Sequence, residues 1–75
     1  MVDAEKIQVE FGKRLRELRT SRGISQEKLG FAAKMDRTYV NSVEQGKRNV
    51  SLVNIARLAD ALGVEITELF QAPPP

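Results

Sequence analysis

The chain has 75 residues, of which 41% are hydrophobic and 29% charged, with a net charge of +2. A chain this short buries only about 60% of its unfolded surface, which leaves room for one core and no deep substrate cavity. Without Cys there are no disulfide staples or thiolate zinc sites, and without His the commonest general base and metal ligand are gone. No apolar run reaches the ~18 residues of a membrane span, and residues 1–6 carry no signal-peptide segment. The expectation is a cytoplasmic, nucleoid-associated chain with no cofactor and no membrane partner, folded as a single domain over residues 1–72.

The pattern is helical from end to end. Ile7, Phe11, Leu15 and Leu18 fall on one face of a helix over residues 5–22. Gly23 stops it in the left-handed region, and Ile24 packs back on Leu18. Ser25 caps a second helix over 26–33, with Ile24 and Leu29 at the staple positions and Leu29 and Ala33 inward. Asp36 caps a third over 37–45, stapled by Met35 and Val40 and ended by Gly46. Ser51 caps a fourth over 52–62, stapled by Val50 and Ile55 and ended by Gly63; Leu52, Ile55, Ala59 and Leu62 face its core. A fifth short helix over 66–70 has a weaker cap, Glu65 or Thr67. Pro73, Pro74 and Pro75 cannot continue a helix and read as a disordered tail. The fold class expected is an all-α, compact five-helix bundle.

The second and third helices are separated by only Lys34, Met35 and Asp36, the spacing of a helix-turn-helix. Val40 and Val43 point inward on the third helix. Its outward residues are Arg37, Thr38, Asn41, Ser42 and Gln45, side chains suited to base edges: Arg pairs with guanine, Asn with adenine, and Ser or Thr with several bases. Arg37 and Thr38 lie in the first turn, the part of a recognition helix that enters the major groove. Gln26, at the start of the second helix, is a candidate phosphate clamp, and Lys47, Arg48 and Asn49 are candidates for the DNA backbone or the groove edge. Between Lys13 and Arg48, ten basic residues stand against Glu17, Glu27, Asp36 and Glu44, a net of +6, whereas each end of the chain carries −2. A basic middle suits a polyanion such as double-stranded DNA.

The residues Gln26-Glu-Lys-Leu29, Tyr39-Val40 and Glu44-Gln-Gly46-Lys47 resemble the Cro and phage-repressor helix-turn-helix class. The resemblance runs from about Phe11 to Phe70 and implies a lambda-repressor-like domain. Within that class, Asp36-Arg37-Thr38-Tyr39, Glu44, Gly46, Arg48-Asn49 and Ser51-Leu52-Val53-Asn54-Ile55 resemble the controller proteins of restriction–modification systems. These are small dimeric regulators that bind tandem operators and time expression of the endonuclease. The resemblance implies that Arg37, Thr38, Tyr39 and Ser42 face bases, while Gln26, Arg48 and Asn49 hold phosphates or the groove edge. Two positions depart from the family pattern: Gly30 stands where Ala is usual, and Lys34 where Gly is common, which carries strain if its φ is positive.

Several residues have plainer readings. Tyr39 either turns its ring edge to DNA or covers the core. Glu44 is expected to be structural, pairing with Arg48 or Arg14. Asp36 is an N-cap worth ~1 kcal/mol, with a contact to RNA polymerase as a second role. Val50, Val53, Ile66 and Phe70 are candidates for a homodimer patch, with Leu69 in the core. A phage-type repressor, an antitoxin-like autoregulator and a helical protein-binding adaptor are the competing functions. An enzyme is not expected, because the carboxylates are isolated or occupied and form no catalytic constellation.

Overall fold

The computed structural model describes residues 1–71; the expected proline tail and the end of the expected domain, Ala72, lie outside them. Four α-helices follow in order: α1 (Ala4–Ser21), α2 (Gln26–Ala33), α3 (Arg37–Glu44) and α4 (Leu52–Leu62). A 3-10 helix, Ile66–Phe70, closes the described chain, and no strand occurs among these residues. The expected fifth helix is therefore only a 3-10 turn. It is five residues long, and Glu65 before it makes no side-chain cap, so the i to i+3 bond from Glu68 N–H to Glu65 O is what forms.

The expected caps are in place. Ser25 Oγ accepts from the Lys28 N–H, Asp36 Oδ1 from the Thr38 N–H and Ser51 Oγ from the Asn54 N–H, at 3.0, 3.2 and 3.1 Å. Asp3, which is not among the expected caps, caps α1 through the Lys6 N–H. All four helices end in the same pair of bonds. At α1 the Gly23 N–H donates to Thr20 O and the Ile24 N–H to Arg19 O; the pairs at Lys34-Met35, Gly46-Lys47 and Gly63-Val64 repeat this pattern. The residue at each stop has positive φ: Gly23, Lys34, Gly46 and Gly63. Lys34, at φ 59°, is the one non-glycine among them.

Leu15, Leu29, Leu58, Leu69, Val40 and Val43 are fully buried, joined in the core by Phe11, Leu18, Ala33, Ala59 and Leu62. Burying each large aliphatic side chain is worth about 1.5–3 kcal/mol before the entropy of ordering it. Two assignments of the inward faces change. Ile7 is 50% exposed, because the first turns of α1 lie outside the core, which begins at Phe11. On α4 the inward stripe is Ile55, Leu58, Ala59 and Leu62, and Leu52, at the first helical position, is exposed. The fit of α1 on α3 depends on Gly12. A Cβ there would collide with the Val43 carbonyl oxygen and lie 2.7 Å from that of Glu44.

Candidate nucleic-acid interface

The turn Lys34-Met35-Asp36 sets the geometry between α2 and α3. Lys34 in the left-handed region reverses the chain, and Gly30 lets the turn close tightly. The Met35 N–H donates to Gly30 O at 2.7 Å, and a Cβ on Gly30 would lie 2.6 Å from Met35 O. The departure at Gly30 thus has a steric cause. With Val40 and Val43 buried, α3 presents its opposite side outward. Arg37 and Thr38 are exposed at its start, and Tyr39, Asn41 and Ser42 are half-buried.

One edge of this face is tied to α2 and α1. Arg19 on α1 pairs with Glu44 at two points, Nε to Oε2 at 2.6 Å and Nη2 to Oε1 at 3.0 Å, while its Nη1 donates to Ile24 O at 2.8 Å. The Glu44 side chain is 3% exposed and that of Arg19 12%. The hydrogen bonds that Arg19 donates to Glu44 raise the Arg19 pKa above the ordinary arginine value; desolvation opposes this and charge attraction adds to it. Glu44 Oε1 also accepts from Gln26 Nε2 at 3.0 Å. Gln26 Nε2 donates again to Asn41 Oδ1 at 3.2 Å, and Gln45 Nε2 reaches the same oxygen at 3.4 Å. Glu44 is structural, as expected, but its partner is Arg19 rather than Arg48 or Arg14. Arg14 Nε instead donates to Glu68 O and holds the 3-10 helix on α1.

The other edge joins α3 to the following loop and to α4. Arg48 Nε donates to Ser42 Oγ at 3.1 Å, and its guanidinium carbon lies 5.4 Å from the centre of the Tyr39 ring. Ser42 Oγ donates to Tyr39 O at 2.9 Å. The Tyr39 hydroxyl accepts from Asn54 Nδ2 at 3.3 Å, and Arg57 Nη1 donates to Asn54 Oδ1. Tyr39 packs against the core as well as lining the shallow depression it shares with Lys34, Thr38, Arg48 and Arg57. On the opposite edge, Arg37 borders a second depression with Ser25, Gln26 and Glu27.

Among the sequence candidates, Gln26 and Asn41 thus come together, as do Tyr39, Ser42 and Arg48, while Lys47 and Asn49 stand exposed in the loop. Arg19, Asn54 and Arg57 were missed. Their partners are 25, 15 and 3 residues away, and no local pattern marks the first two. Of the dimer candidates, Val53, Ile66 and Phe70 are exposed. Val50 is half-buried against the core, and the Phe70 ring lies 5.5 Å from that of Phe11. No helix of the described residues is long and apolar enough to cross a membrane.

The helix-turn-helix family profile matches residues 15–69. The control protein C.MunI of Mycoplasma sp is 45% identical over 65 residues, covering 85% of this chain and 88% of its own. The control protein C.BamHI of Bacillus amyloliquefaciens is also 45% identical over 65 residues, covering 85% and 80%. The crystal structure of the restriction–modification controller protein C.AhdI from Aeromonas hydrophila superposes with a TM-score of 0.85 at 60% identity, covering 87% of this chain and 98% of that one. On helix order, turn geometry and these likenesses together, the chain belongs to the helix-turn-helix family and, within it, to the restriction–modification controller proteins.

Proposed function

We propose that the chain is a sequence-specific DNA-binding transcriptional regulator of a restriction–modification system. It acts as a homodimer on pseudo-palindromic operators and not as an enzyme. The observation that carries this reading is the outward face of α3, where Arg37 and Thr38 stand free at the first turn and Asn41 and Ser42 follow one turn later. In this reading Arg37, Thr38, Tyr39, Asn41 and Ser42 lie toward the bases. Lys47, Arg48, Asn49 and the first turn of α2, opened by Gln26, lie toward the backbone or groove edge. A two-fold dimer through Val53, Ile66 and Phe70, with Val50 beneath them, doubles the few contacts of one α3. It sets two recognition helices ~34 Å apart, one helical turn of DNA.

Selection of bound sites from a random DNA pool tests the function. Two inverted half-sites at that spacing are expected. Arg37→Ala is expected to cost ~1–3 kcal/mol at the preferred site and to relax one base pair in each half. Unchanged affinity and preference in Arg37→Ala would refute the assignment of α3 as the reading helix.

A further inference from the structure

The hydrogen bonds around Glu44 fix which way two amides face. Glu44 is a carboxylate and only accepts, so the Gln26 atom 3.0 Å from it is the NH2 group rather than the carbonyl. The second proton of that NH2 goes to Asn41 at 3.2 Å, so the Asn41 atom there is Oδ1. Oδ1 also meets Gln45 Nε2 at 3.4 Å. Both amide orientations, which are otherwise ambiguous, therefore follow from one charge. That charge is held by Arg19 at two points, with the Glu44 side chain 3% exposed, so it does not rotate freely.

This bears on what Asn41 offers to DNA. An Asn reads adenine with both ends, Oδ1 accepting from N6 and Nδ2 donating to N7. Here Oδ1 is occupied twice. Nδ2 donates to no protein group among the described residues and is the end left for a ligand. Resting on the reading of α3 as a DNA-contacting helix, we infer that Glu44 is a positioning residue for base recognition: acting through Gln26, it turns Asn41 into a single hydrogen-bond donor that selects a purine and does not distinguish adenine from guanine. N7 accepts on both purines. Gln26 is the intermediate in this chain, with both amide protons spent inside the protein. A phosphate at the start of α2 is then met by backbone N–H groups and not by the Gln26 side chain.

Site selection with the wild-type chain, Asn41→Ala and Gln26→Ala tests the inference, with circular dichroism confirming that each variant is folded. Comparison of the wild type with Asn41→Ala locates the base pair that depends on Asn41. The wild type is expected to accept adenine and guanine alike there. Gln26→Ala frees Asn41 Oδ1 from its shorter bond and is expected to raise the preference for adenine over guanine at that pair roughly tenfold. A purely structural Gln26 would weaken binding without changing which base is chosen. Strict adenine in the wild type, no pair that depends on Asn41, or an unchanged preference in Gln26→Ala would each overturn the inference. A wild-type chain that selects no DNA at all would instead overturn the regulator reading. In the free protein, both Gln26 side-chain amide protons are expected to exchange slowly with solvent by NMR, with one becoming fast in Asn41→Ala. Fast exchange of both in the wild type would show that the network does not form.

Discussion

Removal of the Glu44 carboxylate is the most demanding test of how this small bundle is held together. In Glu44→Ala, the Arg19 guanidinium stays in a site where its side chain is only 12% exposed, with the Ile24 carbonyl as its one remaining partner. Gln26 loses its charged acceptor at the same time. Leaving one member of a buried ion pair unpaired costs ~3–5 kcal/mol. A 75-residue chain at about 0.05–0.15 kcal/mol per residue has only ~4–11 kcal/mol in total. Glu44→Ala is therefore expected to remove about a quarter of the stability or more, read as a fall in the urea midpoint by circular dichroism. Protein concentration must be held fixed, because the proposed dimer would make stability depend on it. The double variant Arg19→Met with Glu44→Leu removes both charges and is expected to recover most of the loss. The pair is not sensitive to pH from its arginine side. Glu44 raises the folded-state pKa of Arg19, so that contribution is complete below the ordinary arginine value and is lost only as pH rises beyond it. A loss below ~1 kcal/mol in Glu44→Ala would place this pair with exposed ones and refute the argument.

Gly30→Ala is expected to destabilise by ~1–3 kcal/mol despite the better helix propensity of Ala, because the new Cβ meets the Met35 carbonyl oxygen; a raised Tm would refute this. Lys34→Gly is expected to gain up to ~1 kcal/mol by relieving the positive φ, while Lys34→Val loses stability, since a β-branched residue fits that region worst. Equal unfolding midpoints for Lys, Gly and Val would show that the turn is not strained. Val53→Glu is expected to give a folded monomer with weakened operator binding, because Val53 is 60% exposed and outside the core. Sedimentation showing a dimer at the wild-type concentration would place the interface elsewhere.

Most of the scaffold could be read from the sequence because its signals are local. Each cap bonds two or three residues ahead, and each stop bonds three or five residues back. What could not be read depends on distance. By charge alone, Arg14, Arg19 and Arg22 belong to a basic, DNA-facing surplus. In the fold, Arg14 holds the Glu68 carbonyl, Arg22 the Leu62 carbonyl at the end of α4, and Arg19 the Glu44 carboxylate. These partners are 54, 40 and 25 residues away, and only tertiary packing brings them close. Helix ends depart from the periodicity for a related reason: Ile7 and Leu52 lie on the apolar faces of their helices yet stay exposed.

Side-chain type at the candidate site was legible; remaining hydrogen-bond capacity was not. From sequence, Asn41, Ser42, Thr38 and Arg37 are equally able to read bases. In the fold, the Ser42 hydroxyl spends its proton on Tyr39 O and one lone pair on Arg48, leaving a single acceptor site. Asn41 Oδ1 is taken as well. The side chains of Arg37 and Thr38 make no hydrogen bond among the described residues and keep their full capacity, five N–H donors on the guanidinium and a rotatable hydroxyl. They also occupy the first turn of α3, the part that goes deepest into a major groove. On the proposed reading of α3, discrimination between bases would therefore rest most heavily on these two. The second turn is already bonded to α2 and to the Arg48 loop, so on the same reading it would meet DNA in a fixed geometry and lose little further side-chain entropy.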